Sequence, residues 1–466
     1  MFNKSLVKTP MPEQNPAARA RNFSEVALGY TEADAQSEAA RCLRCKHKPC
    51  VAGCPVEVDI PGFVGKLAEG DPAEAYEIIR RTNALPAVCG RVCPQETQCE
   101  QKCVRGKNGV SVGIGRLERY AADWAMKNGE GASVQAAAPN GVKVAVVGSG
   151  PAGLTCAGEL AGLGYEVTVF EAFHRPGGVL VYGIPEFRLP KAIVAREIEG
   201  LLARGVTLTT NCVVGRSLTL DELFAEGFRA VFIGSGAGLP TFMNIPGESL
   251  NGVYSANEFL TRVNLMRAFD ETWDTPVQNA KRVAVVGGGN VAMDAARCAL
   301  RLPGVETVTV VYRRGEAEMP ARAEEIHHAR EEGIDFKLLT NPTEVLGDDK
   351  GWVTGLACVE MELSEPDESG RRRPKPKPDS RFELPVDSVI MAIGSSPNPL
   401  IRQTTPDLPV NKWGCVVADE ADGRTGKKGV YAGGDTVTGA ATVILAMGAG
   451  RAAARSIHED VLAGAI

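Results

Sequence analysis

Val144-Ala-Val-Val-Gly-Ser-Gly-Pro-Ala-Gly153 decides the fold: an apolar run breaks into G-x-G-x-x-G, and a helical stretch leads on to Glu166-Val-Thr-Val-Phe-Glu171. Strand, tight turn, helix and strand make a βαβ unit. In it Gly148 forms the turn, Gly150 lets the backbone approach a pyrophosphate, and Gly153 packs helix on strand. Pro151 and Ala152 open the helix whose N-terminus faces the phosphates. Glu171 closes the second strand, where a carboxylate accepts hydrogen bonds from ribose hydroxyls. The same text returns as Val283-Ala-Val-Val-Gly-Gly-Gly-Asn-Val-Ala292, followed by a helix and Thr307-Val-Thr-Val-Val-Tyr312. Two dinucleotide sites are therefore expected.

The two units differ where specificity is set. Gly287, Gly289, Asn290 and Val291 follow the first unit's pattern, Ala292 stands for the third glycine, and Tyr312 is followed by Arg313 and Arg314 where the first unit has Glu171. A carboxylate repels a 2′-phosphate and guanidinium groups bind it, so NADPH is expected in preference to NADH. After Glu171 comes Arg175-Pro-Gly-Gly178, and near the C-terminus Gly434 and Asp435 precede Thr442, Val443 and a small-residue helix over 440–454. A cofactor longer than NAD needs such a second contact region, which points to FAD, with the helix N-terminus favouring its anionic reduced form. Ala230-Val-Phe-Ile-Gly-Ser-Gly236, Val389-Ile-Met-Ala-Ile-Gly394 and Val430-Tyr-Ala-Gly-Gly-Asp435 read as further strands of the first unit, two of them beyond the second unit. The second nucleotide domain is thus expected to be inserted into the first.

With 44% hydrophobic and 23% charged residues over 466 positions, the chain can bury several cores. Its net charge of -6 gives no positive field for nucleic acid or anionic lipid. No apolar run reaches the ~18 residues of a membrane span, and the start lacks the apolar core of a signal peptide. A soluble, cytoplasmic protein with no nucleic-acid or membrane partner is expected. Residues 127–141 are small and polar and read as a linker. The stretch from Ser364 to Arg381, with Arg371-Arg-Arg-Pro-Lys-Pro-Lys-Pro378, reads as a solvated hairpin or loop.

Eight of the thirteen cysteines fall between positions 42 and 103, as Cys42-x2-Cys45-x4-Cys50-x3-Cys54-Pro, Cys89-x3-Cys93-Pro and Cys99-x3-Cys103. Thr31 begins a capping box, the helix after it runs toward Cys42, and no β-branched run occurs nearby. This is a helical domain held by metal. Zinc ribbons use paired C-x2-C knuckles, of which one exists here. The first group approaches the ferredoxin run, so two [4Fe-4S] clusters are expected. By spacing alone the eight thiols fill eight ligand positions.

With these motifs in order, together with Val181-Tyr-Gly-Ile-Pro-Glu-Phe-Arg-Leu-Pro190, the chain resembles the small (β) subunit of NADPH-dependent glutamate synthase over nearly its whole length. It is similar also to the large subunit of NADH-dependent reduced ferredoxin:NADP oxidoreductase, to a sulfide dehydrogenase subunit and to the N-terminal half of dihydropyrimidine dehydrogenase. The resemblance implies a mixed α+β and α/β fold: an N-terminal helical double [4Fe-4S] domain, then two Rossmann-like FAD- and NAD(P)-binding domains, one inserted in the other. The limits are 1–126 for iron–sulfur, 143–254 and 385–466 for FAD, and 255–384 for NADPH. Arg175, Gly178, Val179, Gly183, Arg188 and Gly394 join the cofactor-binding set. One cluster would take Cys42, Cys45, Cys50 and Glu118, from Gly113-Ile-Gly-Arg-Leu-Glu118, and the other Cys54, Cys93, Cys99 and Cys103. Cys89 is then spare.

The implied activity passes electrons from NADPH through FAD and the two clusters to an acceptor on a flavoprotein or iron–sulfur partner subunit, either a glutamate synthase large subunit or a ferredoxin-linked one. No side-chain acid or base is assigned, because hydride transfer needs positioning and the cofactor carries the chemistry. The alternatives are a subunit of an electron-bifurcating or sulfide-dehydrogenase enzyme, or an interaction subunit active only in complex. A disulfide reductase needs C-x-x-C beside the flavin, and Cys156, Cys212, Cys298, Cys358 and Cys415 contain no such pair.

Overall fold

A computed structural model of the protein describes residues 3–129, 137–368 and 370–466. The first part is helical, as expected: α1 (Glu32–Ala39), α2 (Ile60–Glu69), α3 (Pro72–Arg80), α4 (Pro86–Val92) and α5 (Ile114–Asn128), with no named strand among them. The Thr31 capping box closes on Asp34 in both directions and starts α1 just ahead of Cys42. α4 and α5 approach closely at Gly90, where a Cβ would stand 2.5 Å from the Arg119 nitrogen. The expected linker begins late, because α5 runs through Lys127 to Asn128, and residues 130–136 of it lie outside the described residues.

Beyond it stand two five-stranded parallel sheets. The first contains β1 (Lys143–Val147), β2 (Glu166–Phe170), β3 (Thr207–Thr209) and β4 (Phe228–Ile233), and is completed by a strand from near the C-terminus. α6 (Pro151–Gly162) joins β1 to β2, and α7 (Lys191–Leu202) precedes β3. The second sheet contains β5 (Val253–Ser255), β6 (Arg282–Val286), β7 (Thr307–Tyr312) and β8 (Asp335–Leu338), with α8 (Asn290–Arg301) and α9 (Ala323–Glu331) packed on it. An antiparallel sheet follows, β9 (Thr340–Gly347), β10 (Val353–Leu363) and β11 (Pro374–Pro385). The Pro-rich excursion is therefore a hairpin, and its prolines fall on an outer strand, where missing N–H groups break no ladder.

β12 (Ser388–Met391) corrects one reading. It pairs in parallel with β5 and β6, so Val389-Ile-Met completes the second sheet and not the first. Each sheet needs a strand on the far side of its first strand, β4 beside β1 and β12 beside β6, and a short apolar run ending in glycine does not say which sheet receives it. The chain then crosses back, Ser395–Ser396 pairing antiparallel with Leu239–Pro240 on the way out. β13 (Val430–Ala432) adds to β4, giving the order β13-β4-β1-β2-β3, and α10 (Val443–Leu462) packs along α6. No helix among the described residues is long and apolar enough to cross a membrane.

Residues 3–28 do not stay within the cysteine-bearing part. Val26 donates its N–H to the Phe187 carbonyl at 2.9 Å, and Phe23 stacks on Phe269 at 4.1 Å. Arg19, buried, reaches Glu332 at 3.2 Å just past α9. The same Glu332 receives Arg297 and Arg301 of α8, each at 2.7 Å, while Arg188 chelates Asp294 and meets Glu325 at 2.9 Å. Burial alone would raise the Glu332 carboxyl, yet the hydrogen bonds from Arg301 and Arg297 outweigh it and hold the group at about 2.

A carboxyl depressed below its unfolded value near ~4.3 adds stability above that pH and loses it on acidification. At neutral pH a shift of this size corresponds to roughly 3 kcal/mol. Glu332→Gln should therefore lower the melting temperature at pH 7, and the difference from wild type should shrink steadily below pH 4. Glu332→Ala, which leaves three guanidinium groups short of a partner, should cost about 3–5 kcal/mol in denaturant melts.

Candidate nucleotide and cluster sites

At the first turn the three glycines divide their work as the motif requires. A Cβ on Gly148, at φ +96°, would stand 2.6 Å from the Gly234 carbonyl oxygen, and one on Gly153 would stand 1.9 Å from that of Gly148. A Cβ on Gly150 would meet nothing within 4 Å. The outer two close the backbone on itself and the middle one opens onto free space. Gly178, at φ +55°, lies over Gly150 with Cβ room of only 3.0 Å, and Gly434, at φ +73°, lies over Ala152. Pro151 and Ala152 are buried in the first turn of α6, with Val179 and Gly183 bounding the short helix beside them.

Glu171 is buried at the end of β2, accepting from the Ser149 N–H at 3.0 Å, the Ser149 hydroxyl, and the Phe173 N–H at 2.8 Å. Across the cleft burial raises Asp435 to about 6, against the Ala441 N–H. Thr442 caps α10, accepting from the Leu445 N–H at 3.4 Å, with Val443 next to it. Tyr182 feels both carboxylates: burial, then Glu171 and Asp435, push its hydroxyl to about 12. Neither Ser149 nor Tyr182 was singled out from sequence, although Ser149 is the variable position inside G-x-G. Arg175 is exposed beside this cradle. Arg188 has both its carboxylate partners in the second unit, so its guanidinium bridges the two units.

The second turn repeats the division. A Cβ on Gly287, at φ +145°, would stand 2.3 Å from the Ala392 carbonyl oxygen, and one on Gly288 would stand 2.7 Å from the Tyr312 ring. A Cβ on Gly289 would meet only Pro320, at 3.9 Å. Asn290 is committed inward, its side-chain oxygen accepting from the Arg322 N–H at 2.9 Å, whereas Val291 is exposed and Ala292 buried. Arg313 is exposed at the end of β7 and Arg314 half-buried, its Nε lacking a hydrogen-bond partner among the described residues. Gly394 follows β12, an inner strand of this sheet, and so belongs to the second unit.

The cysteines fall into two groups, and the grouping departs from the expected one. Cys42, Cys45, Cys50 and Cys103 line one small pocket with Leu43, Pro49, Pro61 and Val112. Burial, then Cys103 and Cys42, push the Cys50 thiol to about 11. Glu118 lies with the other group. Burial raises Cys54 to about 11 with Glu118 and Cys93 as its charged neighbours, and the thiol of Cys99 is raised by burial, Glu100, Glu118, Cys93 and Cys54. Glu118 accepts from the Asn83 side chain at 2.7 Å, and burial pushes it to about 8. Cys103 and Glu118 have thus exchanged places relative to the sequence reading. Cys89, fully buried, touches Met447 of α10 through sulfur at 3.5 Å and Asn83 at 3.6 Å.

Among the described residues no three cysteine sulfurs lie within 4.8 Å of one another. A tetrahedral zinc with Zn–S near ~2.3 Å would draw its sulfurs to roughly 3.8 Å. A bound cation would offset the burial that raises Cys50, Cys54 and Cys99.

The family model described as dihydropyrimidine dehydrogenase domain II, 4Fe-4S cluster, matches residues 19–130, and that of pyridine nucleotide-disulphide oxidoreductase matches 142–450. The small chain of NADPH glutamate synthase from Halomonas elongata is 38% identical over 454 residues, 96% of this chain and 95% of that one. The NADP(+)-dependent formate dehydrogenase subunit beta of Moorella thermoacetica is 41% identical over 439 residues, 89% of this chain but 60% of its own length. In fold, FprA of Mycobacterium tuberculosis, solved in complex with NADPH, superposes with a TM-score of 0.58 at 23% identity, over 69% of this chain and 86% of that one. A 4Fe-4S domain followed by paired nucleotide-binding sheets, aligned nearly end to end with a small chain of this kind, places the protein in the glutamate synthase small-chain family of oxidoreductases.

Proposed function

We propose that the chain binds NADPH at the second glycine turn, holds FAD across the first, and passes single electrons through two [4Fe-4S] clusters to a partner subunit carrying a flavin or iron–sulfur centre of its own. The observation that carries this reading is the position of α10. Its N-terminus stands beside Asp435 and the first turn, while Met447, Gly448 and Arg451 further along it meet Cys89, the Pro55 carbonyl and the Val56 carbonyl. One helix joins the flavin cradle to the cysteines. The residues present fit the groups: the open space over Gly150 and Gly289 admits a pyrophosphate at each turn, and the thiols of Cys42, Cys45, Cys50 and Cys103 converge on one small cavity.

When bound, FAD accepts electrons in pairs and releases them singly, and each cluster carries one. The protein's part is to place and tune these groups. Glu171 is oriented by Ser149 to receive ribose hydroxyls, and the capped start of α10 lays a positive dipole end beside the flavin position. Arg313 and Arg314 receive the 2′-phosphate. Cys42, Cys45, Cys50 and Cys103 hold the outer cluster, and Cys54, Cys93, Cys99 and Glu118 the inner one. Cys89 stays a thiol.

Anaerobic addition of NADPH should bleach the flavin and then the cluster absorbance of the purified protein. A flavin- and iron-loaded chain that NADPH leaves oxidised would overturn the reading. Replacing Arg313 and Arg314 together with Ala should raise the KM for NADPH by one to two orders of magnitude, the loss of ~1.5 to 3 kcal/mol expected for charged hydrogen bonds, and leave the KM for NADH nearly unchanged.

Iron analysis should return about eight Fe per chain for two cubanes. Cys103→Ser should lose or weaken the half-buried cluster, Glu118→Ala the buried one, and Cys89→Ser neither. Equal iron loss in Cys89→Ser and Cys54→Ser would show instead that Cys89 is the eighth ligand.

A further inference from the structure

We propose that the face around Cys42, Cys45, Cys50 and Cys103 docks an acidic one-electron carrier protein, one that surrounds its own redox centre with carboxylates. The proposal rests on the reading of these four cysteines as an outer cluster site. All four are half-buried, whereas in the other group Cys93 and Cys99 are buried and Cys54 alone is half-buried, so the outer group is the more accessible of the two. The charge of this face runs against that of the chain, which is -6 overall. Segments 41–56 and 101–113 contain no acidic residue. They expose Arg44, Lys46, Lys48, Lys102 and Lys107.

Arg44 and Lys48 are each tied to an exposed acid, Glu69 at 3.4 Å and Asp59 at 2.8 Å. Lys46, Lys102 and Lys107 have no carboxylate partner among the described residues. Each stands next to or near a thiol of the group: Lys46 follows Cys45, Lys102 precedes Cys103 with its stem against Gly53, and Lys107 closes the turn after Cys103. The same segments, with residues 6 and 7, also expose apolar side chains. Leu43 is 43% exposed, Leu6 59%, Val7 64% and Val110 43%. Val110 donates to the Leu6 carbonyl at 2.8 Å, which joins the N-terminal residues to the same patch. Exposed apolar side chains together with unpaired cations fit a protein interface steered by opposite charge.

The test uses the loaded, full-length protein and two carriers, an acidic [2Fe-2S] ferredoxin and basic cytochrome c. Binding of labelled ferredoxin is followed by fluorescence anisotropy, and electron transfer by stopped flow. Ferredoxin association should weaken about tenfold or more between 20 mM and 300 mM salt, as screening removes the attraction. Lys46→Glu/Lys102→Glu/Lys107→Glu should weaken it by a similar factor at low salt, and should slow ferredoxin reduction while improving cytochrome c reduction. Iron content and the rate of flavin bleaching by NADPH should not change. Ferredoxin binding indifferent to salt and to the triple charge reversal overturns the docking proposal, as does tighter binding of cytochrome c by the wild type. Failure of the wild-type clusters to bleach with NADPH would overturn the functional reading while leaving the anisotropy result to stand or fall alone.

Discussion

Glu332 is the point on which three parts of the molecule meet. Arg297 and Arg301 come to it from α8, Arg19 from the N-terminal segment, and the neighbouring Glu325 binds Arg297 and Arg188. The Phe187 ring lies under Arg297 and Arg301 at 4.6 and 4.0 Å. Burying such charges costs several kcal/mol per ion, recovered only when every partner is in place. The network therefore adds little to stability as a whole but penalises any arrangement that slides one element past another. It fixes the segment that crosses from the cysteine domain, the loop of the first nucleotide unit that carries Phe187 and Arg188, and the second unit in one relative position.

That constraint shows which features could be read from sequence. The glycine turns were legible because their spacing is local: Gly148, Gly150 and Gly153 fall within one βαβ unit, although Gly148 packs on Gly234 after β4 and Gly150 lies under Gly178. Their division into packing and open positions followed directly. The ion pairs of Arg188 were not legible because its partners, Asp294 and Glu325, are more than a hundred residues away, and nothing in Phe187-Arg188-Leu189 marks an interdomain contact. β12 was misassigned for a similar reason, since two equivalent sheets compete for one short strand.

The cysteine grouping failed for a different reason. Cys50 and Cys54 flank a single turn, and Cys99 and Cys103 are spaced alike, so in each pair one thiol serves each group. Spacing fixes that the chain alternates between the two groups, but not which later cysteine returns to which. A short turn at ~2 Å rise per residue keeps the two groups close. The alternation therefore has a physical consequence beyond ligand supply: two short covalent links hold the centres side by side, the half-buried one outward and the buried one against α10.

The two nucleotide units, alike in sequence, are built to different tightness. In the first, Gly153 brings α6 onto the turn where a Cβ would clash at 1.9 Å, and on its other side Gly450 of α10 packs against the Ala152 carbonyl with Cβ room of 2.1 Å. α6 is thus clasped between turn and α10, and α10 is itself pinned to the cysteine domain by Gly448 at the Pro55 carbonyl. The second unit carries Ala292 where the first has Gly153, so its helix keeps a side chain between itself and the strand, and Val291 faces solvent. A resident cofactor that must keep a fixed distance to the cysteines needs the clasped arrangement. A nucleotide that enters and leaves at each turnover needs an open one, and under the proposed assignment the difference between glycine and alanine at one motif position is where the chain would encode that choice.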